Sequence, residues 1–194
     1  MIRRIQTLGV AACAAVLLVA TPAAADETIV DIAVGNEDFS TLVELVVAQE
    51  LVETLASEGP LTVFAPTNDA FARMPQFVSR ALERNPELVT DVLLYHVVPG
   101  ALLAEDVLAE TSLTTAQGSD LRVRLAGQNA FVNTSRIIAT DIEASNGVIH
   151  VIDRVLVPNS VFQAVIADAR NQVQQLAAQI AERRAQRSGA HAQY

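Results

Sequence analysis

The sequence predicts an α+β domain in which helices come first and short strands follow. Two observations carry this prediction: apolar residues recur at helical spacing over residues 42–57, and branched apolar residues dominate residues 113–157. A doubly wound sheet would instead alternate strands with helices along the chain. The length of 194 residues and the hydrophobic content of 51% suit one domain with a sizeable core and short appendages.

The N-terminus has the pattern of an export signal. Arg3 and Arg4 precede an apolar run over residues 8–20, and three alanines ending at Ala25 follow it. That run is too short for a comfortable membrane span. We therefore expect cleavage after Ala25, which leaves a secreted or periplasmic chain with no stable membrane span. An uncleaved anchor is the alternative.

Composition narrows the possible partners and chemistry. The only cysteine, Cys13, lies inside the export signal, so the exported chain has no disulfide, thiol nucleophile or cysteine metal ligand. All 13 basic residues are arginine, and removal of Arg3 and Arg4 changes the formal net charge from −9 to −11. Such a charge repels nucleic acid and anionic lipid surfaces. Cationic partners, divalent ions and neutral glycans remain open.

The first predicted helix covers residues 41–57. Thr41 and Glu44 have the spacing of a capping box, although Asp38 and Ser40 are alternative caps. Apolar residues follow at helical spacing, and a Gly-Pro pair ends the helix.

A short buried strand over residues 61–65 comes next. Pro66 ends this strand because proline cannot donate to a strand ladder. Thr67, Asn68 or Asp69 caps the helix that follows. Further expected elements are a helix over residues 77–82, a helix over residues 87–94 that opens on Asn85-Pro86, and a strand over residues 95–98.

The second half of the domain is rich in strands. Asn146-Gly147 predicts a tight type I′ turn, because both residues tolerate positive φ. The strand over residues 148–157 has two largely apolar faces, so we expect it to be covered on both sides, and Pro158 ends it. Earlier strands are expected over residues 113–116, 121–125, 130–133 and 136–142, with a hairpin turn over residues 117–120.

After Pro158 the pattern changes to an amphipathic helix, expected over residues 159–187, with a flexible tail over residues 188–194. A seam of this kind docks on its own domain, mediates homo-oligomer formation or contacts a membrane. Asp168 and Glu182 disfavour membrane contact. The seam has alternating spacings of four and three and consists of Phe162, Ile166, Ala169, Val173, Leu176 and Ile180.

Three stretches together carry a resemblance to a known family. In order and spacing, residues 62–71, the pair Tyr95-His96 and residues 146–158 resemble the two signatures and the tyrosine-histidine motif of the fasciclin-like domain family. The resemblance covers residues 28–158. The residues that match the two signatures are Phe64, Pro66, Thr67, Asp69, Phe71, Asn146, Gly147, His150, Asp153 and Pro158.

This resemblance implies a β-wedge or sandwich of short strands with helices packed on one side, over residues 26–158. It also implies a non-enzymatic adhesion or extracellular-matrix module at the cell surface or in a biofilm, with cell-surface or matrix proteins or glycans as partners. The alternative is a carrier for an apolar small molecule or pigment in the cell envelope. We expect no catalytic residue, metal or cofactor, because the sequence has no nucleophile elbow, zinc-protease motif or phosphate-binding glycine loop.

Candidate binding residues come from the same resemblance. Animal relatives have an Asp-Ile pair before the second signature, inside a proposed integrin-recognition motif, and Asp141-Ile142 matches that pair in place. The flanking residues do not match, so a different surface receptor or a glycan could use the site. In the alternative interpretation, Asp141 caps the strand end and Ile142 belongs to the core.

Tyr95 and His96 complete the expected partner-binding set. His96 and His150 fall in predicted buried strands, where a hydrogen-bonded core histidine is more common than a metal ligand. We further expect His96 to form a hydrogen bond with residues 67–69, which would join the first signature to the central strand.

Overall fold

The computed structural model describes residues 27–57 and 59–190. The expected export signal, Cys13 and residues 191–194 lie outside the described residues. The helices are α1 Ile29–Val34, α2 Ser40–Ala48, α3 Val52–Leu55, α4 Asn68–Ala72, α5 Gln76–Arg84, α6 Pro86–Tyr95, α7 Ala104–Ala109 and α8 Asn159–Ala190. The strands are β1 Leu61–Pro66, β2 Val97–Pro99, β3 Ser112–Thr114, β4 Asp120–Ala126, β5 Asn129–Val132, β6 Ser135–Ala144 and β7 Gly147–Ile152.

The described strands form one wedge-shaped sheet in the order β2-β1-β7-β6-β5-β4-β3. β1 and β7 pair in parallel, whereas the other neighbouring strands are antiparallel. The hairpin between β3 and β4 and the return through β5 and β6 are as the sequence predicts. The α+β class and the appended C-terminal helix are confirmed.

Two apolar clusters lie on opposite faces of β1 and β7. Val63 and Ile149 face a cluster closed by α1, α2, α3 and α6. Phe64 and Ile152 face a second cluster, closed by α7 and the inner sides of β3, β4 and β5. Every residue of β7 is buried, which confirms that this strand is covered on both sides.

The type I′ turn at Asn146-Gly147 is a wrong prediction. Ala144 pairs with Gly147, so the two connecting residues are Ser145 and Asn146, and neither has a positive φ. Gly147 belongs to β7 and is required for a different reason: a Cβ at this position would lie 1.9 Å from the backbone oxygen of Leu61 on β1. The glycine allows two parallel strands to begin side by side.

The sequence predicts Tyr95 and His96 in a strand, but the structure places them at the end of α6. Tyr95 is the last helical residue, and the backbone N–H of His96 donates to the oxygen of Leu93 at 3.0 Å. Strand β2 begins one residue later, at Val97. The helix extends one residue further than expected. At its end the ring of His96 contacts the backbone oxygen of Val92, an oxygen in the last turn of the helix.

The caps of the helices differ in part from expectation. Thr67 is the cap of α4 among the three candidates, since its hydroxyl accepts from the N–H of Ala70 at 3.3 Å. The capping box at Thr41 is absent: α2 begins at Ser40 with no side-chain cap, and the N–H of Thr41 donates to the Oδ1 of Asn68 at 3.0 Å. Pro86 opens α6 as predicted.

Helix α8 joins the domain through its first two turns only. Val161 and Val165 are buried in an apolar cluster with Ala81 of α5 and Val92 of α6. From Ala169 to residue 183 every side chain is exposed. The helix continues to Ala190, beyond the expected end at residue 187.

Candidate functional site

The candidate site is built on an irregularity in β6. Between Ile137 and Ile142 the register of β6 against β7 shifts twice, and Asp141 has a φ of 59°. A left-handed residue interrupts the alternation of side chains along a strand, and aspartate is among the few residues that adopt this conformation at low cost. The bulge exposes residues 138–141. Asp141 is therefore presented in the middle of a strand rather than at the strand end, where the sequence suggested a cap.

The carboxylate of Asp141 is held by the first turn of α7. Its Oδ1 accepts a hydrogen bond from the N–H of Ala104 at 2.7 Å. The first N–H groups of a helix have no partner within the helix, so a carboxylate there is stabilised. Ile142 points the other way, is half-buried and packs against the cluster that α1 to α3 close. The Asp-Ile pair is thus divided between the surface and the core.

His150 supports the bulge from inside the domain. The ring is buried, and its Nε2 lies 2.9 Å from the backbone oxygen of Leu102. Its Nδ1 accepts a long hydrogen bond, 3.4 Å, from the N–H of Asp141. These partners require a neutral ring with the proton on Nε2, and burial lowers the pKa of His150 accordingly. His150 is a hydrogen-bonded core histidine, as the sequence predicts.

His96 is the second buried histidine, and its partners differ from those expected. Nδ1 lies 2.7 Å from the backbone oxygen of Val92, and Nε2 accepts from the N–H of Leu156 at 2.9 Å. The ring therefore joins α6 to the segment after β7, and the expected bond to residues 67–69 is a wrong prediction. Burial lowers the pKa of His96 to about 4. The backbone oxygen of His96 does reach the first signature, since it accepts from the N–H of Phe64 at 2.9 Å.

Tyr95 joins the end of α6 to the strands on the other side of the wedge. Its hydroxyl donates to the backbone oxygen of Asp120 at 3.0 Å and accepts from the Nδ2 of Asn133 at 3.0 Å. Only 5% of Tyr95 and 3% of His96 is exposed. Of the four expected partner-binding residues, the structure therefore places Asp141 at the surface and Ile142 below it, and it places Tyr95 and His96 inside the domain.

Asn146 has a structural role that the sequence did not reveal. Its Oδ1 accepts from the N–H of Ile29 at 2.9 Å, and its Nδ2 donates to the backbone oxygen of Leu55 at 2.7 Å. One side chain thus joins the hairpin tip to α1 and α3. These partners are 117 and 91 residues away in the chain, and a local sequence pattern contains no signal for contacts at that separation.

The other signature residues hold neighbouring segments together. Asp153 accepts from the N–H of Arg136 at 2.8 Å and so closes the end of the β6–β7 pair. Asp69 is exposed on α4, 3.9 Å from Arg73. The remaining members line the interior: Phe64, Pro66, Phe71 and Pro158 are buried or half-buried.

A shallow cleft of about 730 Å³, with both polar and apolar residues in its walls, lies beside the bulge, at the tip of the β6–β7 hairpin. Its walls include Leu103 and Asp106 from the start of α7, and Glu143 and Ser145 from the hairpin. Asp106 and Glu143 are both exposed. Glu143 follows Asp141 by two residues on β6, and Asp106 lies on α7, the helix whose first N–H donates to Asp141. The end of β6 next to the hairpin tip is therefore acidic, and it suits a cationic or hydrogen-bonding group of a partner.

A second cavity is apolar and more enclosed. It has a volume of about 210 Å³ and lies between α1, α2 and α3 on one side and β1 and β7 on the other. Its lining includes Phe39, Val46, Leu55 and Ile149.

Across residues 27–57 and 59–190, no three His, Asp, Glu or Cys residues lie together in a way that could hold a metal ion. In the same ranges, no helix combines the length and the apolar character needed to cross a membrane.

Comparisons with known proteins agree with the fold and the signatures. A family model described as Fasciclin domain matches residues 37–158. Protein sll1483 of Synechocystis sp. is 48% identical over 133 residues, which cover 68% of this chain and 73% of that protein. Immunogenic protein MPB70 of Mycobacterium bovis is 33% identical over 129 residues, covering 64% of this chain and 65% of that protein.

Animal relatives and a solved structure are also similar over part of their length. Transforming growth factor-beta-induced protein ig-h3 of Sus scrofa is 37% identical over 126 residues, which cover 64% of this chain and 18% of that protein. The FAS1 domain pair of the insect cell adhesion molecule Fasciclin I superposes with a TM-score of 0.52 at 18% identity, covering 63% of this chain and 46% of that chain. The chain thus spans about half of that pair, and this similarity concerns the fold.

Proposed function

Because the chain belongs to the fasciclin domain family, an adhesion-type domain found among cell-adhesion and matrix proteins, we propose that it is an exported adhesion module that catalyses no reaction. Its partners would be cell-surface or matrix proteins or glycans, and its location the cell surface, the surrounding matrix or the periplasm. Recognition would come from exposed residues on a rigid scaffold.

The observation that carries this proposal is the presentation of Asp141. Its carboxylate stands at an exposed bulge, yet Ala104 fixes its orientation and His150 supports the backbone beneath it. A charged group that is held in place before binding loses little conformational freedom when a partner arrives. The cleft beside it adds the carboxylates of Asp106 and Glu143 near the same end of β6.

Association of the purified chain with whole cells and with matrix fractions tests the proposal. Asp141→Asn removes the charge but keeps an oxygen for Ala104 and a side chain that tolerates positive φ. We expect this variant to bind about tenfold more weakly, as for a residue central to an interface. Asp38→Asn, which removes an exposed charge elsewhere, serves as the matched control. Equal binding by both variants, or turnover of a substrate by the purified chain, would contradict the proposal.

We also propose that α8 mediates self-association and so increases avidity. Its seam is exposed, with Val173 at 68% and Leu176 at 59%. Branched residues occupy alternate seam positions, Ile166, Val173 and Ile180, as in two-stranded coiled coils. Paired chains would present two adhesion sites at once.

Sedimentation of the full chain and of a chain that ends at Ala169 tests self-association. The shorter chain keeps Val161 and Val165, and with them the contact between α8 and the domain. We expect a dimer for the full chain and a monomer for the shorter one. Equal monomeric masses for both would count against the proposal.

A carrier of a small apolar molecule is a second candidate function, favoured by the apolar cavity. Its volume of about 210 Å³ lies below the roughly 300–1,000 Å³ of typical ligand pockets, so the occupant would be smaller than an extended pigment. Naphthalene fluorescence in the presence of the purified chain tests this function. We expect saturable binding that Val46→Phe abolishes by filling the cavity, whereas no binding to the unaltered chain would exclude a carrier role at this site.

A further inference from the structure

The outer face of β4, β5 and β6 carries positive charge in a chain whose formal net charge is −9. Arg122 and Arg124 lie two residues apart on β4, so their side chains leave the same face of the sheet. Arg124 is opposite Phe131 of β5, and Phe131 is opposite Arg136 of β6. These four residues, the arginine row, cross three adjacent strands.

The guanidinium groups of the arginine row are exposed and free of acidic partners. Arg122, Arg124 and Arg136 are all exposed, while the alternate residues of β4, Leu121 and Val123, are buried. Among the described residues, the ion pair that forms joins Arg73 to Asp69, so it involves no member of the row.

Two of the acidic residues near the row make hydrogen bonds to other groups. Asp120, at the start of β4, accepts from the hydroxyl of Thr114 at 2.9 Å. Asp153 accepts from the backbone N–H of Arg136 at 2.8 Å. Asp120 is also the single acidic residue between positions 111 and 140. Neither carboxylate forms an ion pair with a guanidinium of the row, so all three guanidinium groups are available to a partner.

Stacking gives one member of the row a defined orientation. The Cζ of Arg124 lies 5.1 Å from the centre of the Phe131 ring. A guanidinium that stacks on an aromatic ring keeps its in-plane N–H donors available, and their fork matches a carboxylate or a sulfate group. The same contact occupies one face of the ring.

We propose that the arginine row binds an anionic polysaccharide through its carboxylate or sulfate groups. Strand geometry places Arg122 and Arg124 about 7 Å apart along β4, and Arg124 and Arg136 about 10 Å apart across the sheet. Cations in a regular pattern on a flat, open face suit an extended polymer that repeats its charge. The proposal deepens the adhesion function by naming one class of partner, and it rests on that function.

Other anionic macromolecules fit these observations less well. Nucleic-acid-binding domains are basic as a whole, whereas this chain is strongly acidic. A single aromatic ring with one face covered by Arg124 is also a poor platform for stacked bases.

Binding of the purified chain to immobilised polymers tests the proposal. The probes are polygalacturonate for carboxylates, dextran sulfate for sulfates, neutral dextran and a short DNA duplex. The test variant is the triple substitution Arg122→Gln, Arg124→Gln and Arg136→Gln. Its matched control is Arg73→Gln, Arg80→Gln and Arg84→Gln, which changes the net charge equally on a different surface of the domain.

We expect the unaltered chain to bind at least one of the two anionic polysaccharides and not neutral dextran. The row variant should bind about tenfold more weakly or worse and lose most of the salt dependence, while the control should change by less than about twofold. Unchanged circular dichroism and thermal midpoint would show that the row variant remains folded.

Three results would overturn the proposal: no binding to either anionic polysaccharide at low salt, equal losses in both triple variants, or row-dependent binding of DNA alone. The adhesion function has a separate readout. If the chain associates with cells through Asp141 but binds neither anionic polysaccharide, only this inference is overturned. Loss of cell association in Asp141→Asn, with polymer binding intact, would leave both proposals standing.

Discussion

At the scale of single residues, burial decides the protonation of the core histidines. The interior holds His96 and His150 neutral, and each ring has one donor and one acceptor contact that fit a neutral imidazole. The sequence predicts buried histidines at both positions. It does not predict their partners, because Val92, Leu156 and Leu102 contribute backbone atoms, which any residue type has.

Acidification should destabilise the domain through His96. The pKa of His96 is about 4 in the folded chain, against 6.5 for an ordinary histidine. Below pH 6.5 the unfolded chain binds a proton that the folded chain does not, so the free energy of unfolding falls as the pH falls, until about pH 4. The difference amounts to about 3 kcal/mol across this window. Urea unfolding at several pH values measures it.

His96→Gln separates this effect from the titration of carboxylates. The variant should be less stable than the unaltered chain near neutral pH, because a smaller, flexible amide does not reproduce both ring contacts, with Val92 and with Leu156. Its stability should also depend less on pH between about 6.5 and 4. Parallel pH curves for the two chains would show that another group is responsible.

Glycine is required at position 147 because the backbone of Leu61 lies very close to it, and not because its φ is positive. Gly147→Ala should lower the free energy of unfolding by about 3 kcal/mol or more, because the new Cβ overlaps the oxygen of Leu61 and forces β1 and β7 apart. Gly59→Ala is the matched control, since nothing lies within 4 Å of a Cβ there. Chemical denaturation of both variants measures the difference, and similar losses would argue against the overlap.

At the scale of elements, the strands were easier to predict than their connections. Branched apolar runs identify β7 and its two covered faces, but the strand ends at Ile152 and does not continue to Pro158 as predicted. The sequence does not predict the turn before β7 correctly, because an Asn-Gly pair suits two different structures. It favours a tight turn, and it also suits a place where the asparagine bonds distant segments and the glycine lies against another backbone. Only the position of β1, which is distant in the chain, decides between them.

Helix α8 combines a docked start with a free continuation. Apolar periodicity predicts the helix correctly, but not the point at which it leaves the domain. The docked residues Val161 and Val165 are outside the seam that the periodicity identifies. The sequence does not predict their docking, because two helical turns contain too few residues to establish a separate apolar pattern.

Substitutions along α8 should therefore affect stability unequally. Val161→Ala should lower the free energy of unfolding by about 2 kcal/mol, because the residue is buried against α5 and α6. Val173→Ala should change it by less than about 0.5 kcal/mol when measured on the monomer, because this side chain is 68% exposed. Denaturation at low protein concentration measures both, and a similar cost for the two would mean that the helix packs differently.

At the scale of the whole molecule, the class and the order of elements follow from the sequence, whereas the order of strands in the sheet does not. Most helices precede the strand-rich run from β3 to β7, as expected, and the hairpins occur where the sequence predicts them, although the turn before β7 differs. The parallel pairing of β1 with β7 brings together the two signature stretches. The pairing of these two strands depends on how side chains from distant segments fit across the sheet, and a short stretch of sequence does not contain that information.

The acidic composition should make stability depend on salt. With a formal net charge of −9, the compact state suffers more repulsion than the unfolded chain. Raising the sodium chloride concentration from about 10 to about 300 mM should increase the free energy of unfolding by about 1 kcal/mol through screening. Urea unfolding at the two concentrations checks this, and an unchanged or lower stability in high salt would contradict it.

The parallel pairing of β1 with β7 also governs when the domain can fold during synthesis. β1 emerges from the ribosome early, but one of its two neighbours, β7, is the last strand to be made. Until β7 arrives, the central strand has an open edge and the apolar cluster beside it lacks a wall. The domain therefore cannot complete its fold until nearly all of it has been translated, and a chain that has not yet folded is the form that a narrow export channel admits.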